Sequence, residues 1–152
     1  AWAWLAEAIA SWLRELGLPA PDLDELYRKL NELGLRASSA LEVAPQFLGE
    51  RYDPSLRGAI RGIDLENFSL GNLARGLALG IMENLKDMLP ARAFAGRTRI
   101  VGSGNALRRN PLLRQAAERV FRLPLTIPEA CEEAAVGAAL NALGLTLQNL
   151  NI

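Results

Sequence analysis

Arg99-Ile100-Val101-Gly102-Ser103-Gly104-Asn105-Ala106-Leu107-Arg108-Arg109-Asn110 joins a short β-branched run to a helical one. Residues 99–101 predict a strand, and the apolar spacing over 112–121 predicts a helix. A strand, a turn of small residues and a helix start, in that order, bring backbone N–H groups close to a nucleotide or another flat polar ligand. Gly102 and Gly104 let the main chain approach without a Cβ in the way, and Ser103 is small. The amides of Asn105 and Asn110 can each donate and accept hydrogen bonds. A tight turn with no ligand satisfies the same pattern, and this stretch alone does not choose between the two.

Helical patterns flank the turn on both sides. Pro111 suits the first position of a helix over 111–121. A short strand over 123–127 follows, then a helix over 129–143 whose Ala134-Ala135-Val136-Gly137-Ala138-Ala139 face can lie flush on a sheet. Upstream, residues 69–89 form the longest and most regular helical pattern, with Leu70, Leu73, Leu77, Ile81, Leu85 and Met88 as its stripe and Pro90 as its stop. Gly76, Gly80 and Asn84 fall on one line of that helix. A glycine costs about 1 kcal/mol against alanine in a helix interior, so two on one line imply that something approaches the backbone closely. A neighbouring strand or helix meets that requirement as well as a ligand does.

Two more helices open the chain. Residues 2–16 are amphipathic, with Trp2, Leu5, Ile9, Trp12, Leu13 and Leu16 on one face, and Gly17 stops them. Asp22 is the expected N-cap of a helix through about residue 33, with Leu23, Leu26, Tyr27 and Leu30 as its stripe and Gly34 as its end. Between 44 and 67 periodicity disappears, and turn residues separate very short apolar runs, so irregular structure with short strands is expected there. Residues 145–152 read as a tail or a short added strand.

Composition narrows the function. The 152 residues are 50% hydrophobic and 22% charged, which fits one folded domain. Seventeen Lys and Arg balance seventeen Asp and Glu, which removes the electrostatic case for nucleic acid or an anionic membrane surface. The chain has no histidine, so a histidine base and most zinc sites are excluded, and proton transfer would fall to a carboxylate. Its one cysteine, Cys131, makes no internal disulfide, fits a reducing, cytoplasmic setting and reads as a small buried apolar residue. The Trp-rich opening begins inside a helical pattern without a cap, as expected of a piece of something longer.

Four ordered segments resemble the C-terminal half of an FGGY-type carbohydrate kinase, closest to its sedoheptulokinase branch. The first is Phe47-Leu48-Gly49-Glu50-Arg51-Tyr52-Asp53-Pro54 with Leu56-Arg57-Gly58-Ala59-Ile60-Arg61-Gly62-Ile63. The second is Asn67-Phe68-Ser69-Leu70-Gly71-Asn72-Leu73-Ala74-Arg75 leading into Gly80-Ile81-Met82-Glu83-Asn84-Leu85. The third is Val101-Gly102-Ser103-Gly104-Asn105-Ala106-Leu107 with Arg109-Asn110, and the fourth is Glu132-Glu133-Ala134-Ala135-Val136-Gly137-Ala138-Ala139-Leu140. Together they span about residues 43–143.

The resemblance implies an α/β fold: the helix-rich part of a ribonuclease H-like, actin-like ATPase domain with an incomplete sheet, forming one partial lobe of a two-lobed kinase. It implies ATP and Mg²⁺ in the intact enzyme, and transfer of the γ-phosphate to a ketose such as sedoheptulose. Carried over, Gly80 and Asn84 would flank the adenine or ribose. Gly102, Ser103, Gly104 and Asn105 would form the loop under the adenosine, and Asn110 a further contact. The family's sugar-activating carboxylate and phosphate loops match no stretch of this chain, so it is expected to be inactive alone, with no catalytic residue of its own. The absent hairpin would leave a sheet edge open to pairing or self-association. The rival is a non-catalytic interaction or packing module.

Several residues invite other readings. Glu50 and Asp53 look like a paired-carboxylate site, but Arg51 and Arg57 are expected to pair with them, and Asp-Pro is a common turn. Arg108, Arg109, Arg114, Arg119 and Arg122 are expected to form a solvated face rather than to steer phosphate. Trp2, Trp4 and Trp12 are expected in the core or at a lobe interface rather than at a ligand.

Overall fold

The computed structural model describes residues 1–128 and 133–142. Its elements are α1 (Trp2–Glu15), α2 (Leu23–Arg36), β1 (Glu42–Ala44), β2 (Ala59–Arg61), α3 (Leu70–Asp87), β3 (Ile100–Val101), α4 (Asn105–Arg109), α5 (Pro111–Phe121), β4 (Leu125–Thr126) and α6 (Glu133–Ala142). A short 3₁₀ turn, Ala91–Ala93, follows the stop at Pro90.

Helix α3 is the axis of the molecule, with α2, α5 and β1 laid against it. Ser69 caps its start by accepting a hydrogen bond from Asn72 N at 3.2 Å. Leu73, Leu77 and Met82 of α3 meet Leu5 and Ile9 of α1, Leu26 and Leu30 of α2, and Leu112 and Leu113 of α5 in one core. The ends of the expected stripe, Leu70, Leu85 and Met88, are exposed instead. The buried face is wider than a stripe because three elements, rather than one, cover α3.

The glycines of α3 mark where those neighbours come close. A Cβ on Gly76 would meet the Leu41 carbonyl oxygen, and one on Gly80 would meet that of Val43. What approaches the backbone is therefore β1. Strand β1 pairs antiparallel with β2, Val43 opposite Ile60, which answers the expectation of short strands in an irregular stretch. On the other side, Gly34 lies inside α2 rather than ending it. Its Cβ would meet Leu112 Cδ2, so this glycine serves the crossing of α2 with α5, and the helix runs on to Arg36. Arg75 Nη1 then donates to Ala37 O at 2.8 Å, tying the end of α2 to α3.

Other expectations are met at their ends. Asp22 Oδ1 accepts from Glu25 N at 2.8 Å and caps α2, and Gly17, with φ of 71°, follows the end of α1. The outer half of the α1 stripe is not buried: Trp12 is 50% exposed and Leu16 73%. Leu5, Ala6, Ile9 and Ala10 form the buried face in its place, because small alanines let α1 sit close to its neighbours.

Strands β3 and β4 pair in parallel over two residues each, Ile100 with Leu125 and Val101 with Thr126. No further strand pairs with them among the described residues. Of the small-residue face of α6, Ala135, Gly137, Ala138 and Ala139 are exposed rather than laid on a sheet among the described residues, where two paired residues per strand offer little surface to receive them. Cys131, the tail 145–152 and the outer ends of the last predicted helix fall outside the described residues. Among those described, no helix is long and apolar enough to cross a membrane.

Candidate functional site

The turn quoted at the outset does not remain a loop. Residues 105–109 wind into the single-turn helix α4, entered through Gly104 with φ of 89°, a backbone angle that favours glycine. Gly102 is buried. A Cβ there would sit 2.6 Å from Leu107 Cδ1 and 3.0 Å from Leu125 Cδ1, so its missing side chain lets α4 fold down on β4. Ser103, Gly104 and Asn105 are exposed.

This fold-back places Asn105, Ala106 and Arg109 along one wall of a cleft of about 680 Å³. The first turn of α1 supplies Trp2 and Ala3, α2 supplies Tyr27 and Asn31, and the start of α5 supplies Asn110 and Leu113. Two asparagines cap α5 from within this cleft. Asn110 Oδ1 accepts from Leu113 N at 2.8 Å, and Asn31 Oδ1 accepts from Leu112 N at 3.2 Å. Asn31 also donates through Nδ2 to Tyr27 O at 2.8 Å, so both ends of its amide are engaged.

Asn110 differs. It is only 5% exposed, and its Nδ2 is buried with no hydrogen-bond partner among the described residues. Buried donors are normally paired, and leaving one unpaired costs about 1–3 kcal/mol. The cleft wall thus contains one unmatched donor. Around the rim, Arg28 pairs with Glu32 at 2.6 Å, while Arg109 and Asp24 enter no ion pair among the described residues.

Asn105 and Asn110 are therefore brought together, but Gly80 and Asn84 do not join them. Among the described residues the backbone of α3 approaches neither β3 nor α4. Gly80 and Asn84 instead line a separate cleft of about 160 Å³ beside β1. There the Val43 carbonyl takes the space beside Gly80. Asn84 Oδ1 accepts from Gln46 Nε2 at 2.8 Å, and its Nδ2 donates to Glu50 Oε1 at 3.0 Å. A common helix line ensures that Gly80 and Asn84 are neighbours, and says nothing about which element faces them.

Glu50 and Asp53 make no acid–base pair and no ion pair with Arg51 or Arg57. Asp53 Oδ1 accepts from Ser55 Oγ at 2.5 Å and Ser55 N at 2.9 Å, and the Ser55 hydroxyl, then its N–H, hold the Asp53 carboxyl below its usual 3.8. Arg57 donates to the carbonyls of Pro54 and Leu56 instead. In the basic run, Arg108 reaches Pro128 O at 2.8 Å and Arg109 lines the cleft, so the expected solvated face holds best at Arg119 and Arg122, which are exposed. Sequence reasoning also missed Trp2, Tyr27 and Asn31 as cleft residues. The available signal was Asn31, a polar side chain on the α2 face that Tyr27, Leu30 and Gly34 present inward.

Residues 3–144 match the model of the C-terminal domain of the FGGY family of carbohydrate kinases. The chain belongs to the FGGY family. This FGGY domain is 35% identical over 134 residues to the sedoheptulokinase of Homo sapiens, an alignment covering 87% of the chain and 28% of the relative. The chain thus spans little more than a quarter of the curated relative it matches. Among solved structures it superposes on the xylulose kinase of Bifidobacterium adolescentis with a TM-score of 0.65 at 26% identity, over 90% of this chain and 27% of that one. It shares the fold of the Plasmodium falciparum glycerol kinase with ADP, with a TM-score of 0.64 at 17% identity over 89% and 27% of the two chains. FGGY kinases have the actin-like ATPase fold, and the helix-rich α/β arrangement found here is part of it. They use ATP as phosphate donor.

Proposed function

We propose that this FGGY domain is the nucleotide-side lobe of an ATP-dependent sugar kinase and that the cleft between α1, α2, α4 and α5 seats the adenosine end of ATP or ADP. The observation that carries this reading is the unpaired Asn110 Nδ2, buried in the cleft wall. Adenine offers ring nitrogens that only accept hydrogen bonds, so it matches this lone donor once the wall around Asn110 opens to the ligand. Tyr27 and Trp2 add aromatic surface, exposed Asn105 stands where a ribose hydroxyl can reach it, and Gly102, Ser103 and Gly104 set α4 at the angle that keeps the cleft open.

In the whole enzyme the reaction is transfer of the ATP γ-phosphate to a ketose hydroxyl, with sedoheptulose the substrate that the human relative's name suggests. Phosphoryl transfer depends on positioning the sugar hydroxyl, its base and the phosphates together. Glu50 and Asp53, the carboxylates that look paired in the sequence, are hydrogen-bonded to Asn84 and Ser55. We read the isolated chain as a binding lobe without turnover. Mg²⁺ accompanies the nucleotide phosphates in such reactions, but the described residues gather no group of three potential ligands, and none is assigned to it.

Calorimetric titration of ADP into the chain and into Asn110→Asp tests the reading. Aspartate keeps the cap oxygen for Leu113 N but replaces the donor with an acceptor. The native chain should bind ADP saturably, and the variant about tenfold or more weaker, the equivalent of roughly 1.4 kcal/mol for one lost hydrogen bond. Equal affinities, or no binding by the native chain at millimolar ADP, would overturn it.

A further inference from the structure

Asn84 lies away from the cleft, yet it grips both ends of one turn. Gln46 donates to its Oδ1 and Glu50 accepts from its Nδ2, and between these two residues the chain reverses through Phe47-Leu48-Gly49, with Gly49 N donating to Gln46 O at 3.1 Å. Gly49 has φ of 77°, and a Cβ there would sit 2.6 Å from Pro54 O, so the turn has little freedom to re-form differently. At its tip Phe47 fills the space beside Gly58 and stacks on Trp4, ring centroids 4.2 Å apart and planes 27° apart. Trp4 belongs to the first turn of α1, whose Trp2 and Ala3 form a wall of the nucleotide cleft. No side chain caps that turn of α1, which leaves it dependent on tertiary contacts for its position.

We infer that Asn84 is a positioning residue for the nucleotide cleft: by clamping Gln46 and Glu50 it fixes Phe47, and the Phe47–Trp4 stack holds the first turn of α1 where it closes one side of the cleft. The inference rests on the nucleotide reading of that cleft. It gives the Asn at this point of α3 a function without direct ligand contact. It also explains why an amide is needed, since one oxygen accepts and one nitrogen donates at the same time. Aspartate at 84 would accept from Gln46 and repel Glu50, and leucine would do neither.

The test follows the tryptophan indole N–H signals by NMR in the free chain, assigned with Trp2→Phe and Trp4→Phe, alongside ADP titration of each variant. Asn84→Ala and Gln46→Ala should shift both the Trp4 and the Trp2 signals and weaken ADP binding about three- to tenfold, the effect of one or two part-buried hydrogen bonds. Glu50→Gln retains an acceptor for Asn84 Nδ2 and should leave both readouts near native. Asn84→Ala combined with Phe47→Leu should weaken ADP no more than either change alone, because both cut the same connection. Unmoved Trp2 and Trp4 signals in Asn84→Ala, or additive losses in the double variant, would overturn the inference while leaving ADP binding by the native chain intact. Failure of the native chain to bind ADP overturns the nucleotide reading instead, and the indole shifts still decide whether Asn84 positions α1.

Discussion

Gly80→Ala and Gly137→Ala make the same exchange in two helices and should move stability in opposite directions. In a helix interior alanine is favoured over glycine by about 1 kcal/mol, and that gain is common to both. At Gly137 no atom of the described residues lies within 4 Å of the new methyl, so Gly137→Ala should be stabilised by up to that amount. At Gly80 the methyl would overlap the carbonyl oxygen of Val43, with Val43 C at 3.1 Å and Pro45 Cδ at 3.7 Å. A main-chain atom cannot rotate away as a side chain does. Val43 is also paired with Ile60 and buried on α3, so relief requires β1 and β2 to shift together. Overpacking of this kind costs about 1–3 kcal/mol. Because the propensity terms cancel, that range is also the expected difference between the two variants. For a chain of this size each kcal/mol corresponds to about 2–4 °C in Tm. Guanidinium unfolding followed by tryptophan fluorescence reads the difference, since all three tryptophans lie in α1. A Gly80→Ala protein as stable as Gly137→Ala would refute the packing account. If it were also impaired in ADP binding, the direct ligand contact expected from the family resemblance would return.

Two further outcomes follow from the same fold. Leu77 is 1% exposed at the centre of α3, and Leu77→Ala should cost about 2–5 kcal/mol in equilibrium unfolding, well beyond any exposed leucine such as Leu85. The Asp53 carboxyl should titrate below 3.8 by NMR because the folded turn favours its charged form. Its contribution to stability is full above 3.8 and is lost as the pH falls through the lower folded value. Ser55→Ala should move the Asp53 midpoint back up, and an unchanged midpoint would show that the hydroxyl is not the cause.

How far the chain could be read from its residues varied with the source of each constraint. Helix α5 was legible to the residue, since Pro111 at its first position acts within one turn. The same holds for Asp22, whose side chain bonds an N–H group three residues on, whereas the like cap at Ser69 emerged only from the structure. Gly17 and Gly34 look alike as glycines after an apolar stripe. One adopts φ of 71° after a helix, and the other is packed against Leu112 inside one, so the difference lies with a partner far along the chain. The site divides in the same way. Asn105 and Asn110 could be picked out as amides on a turn, but Tyr27, Asn31 and Trp2 join them only through the packing of α1 and α2.

By itself the sequence determined what short-range forces and motif order can carry: the Asp22 cap, the Pro90 stop, the strand–turn–helix at 99–121 and the FGGY resemblance. Tertiary structure alone decided which groups meet. It laid β1 on the glycines of α3, which separated Gly80 and Asn84 from the turn at Gly102, and it buried the Asn110 amide with its NH2 group unpaired among the described residues. The physical reason is that capping and periodicity act over three or four residues, whereas a cleft is defined by surfaces that the chain brings together from as far apart as Trp2 and Leu113.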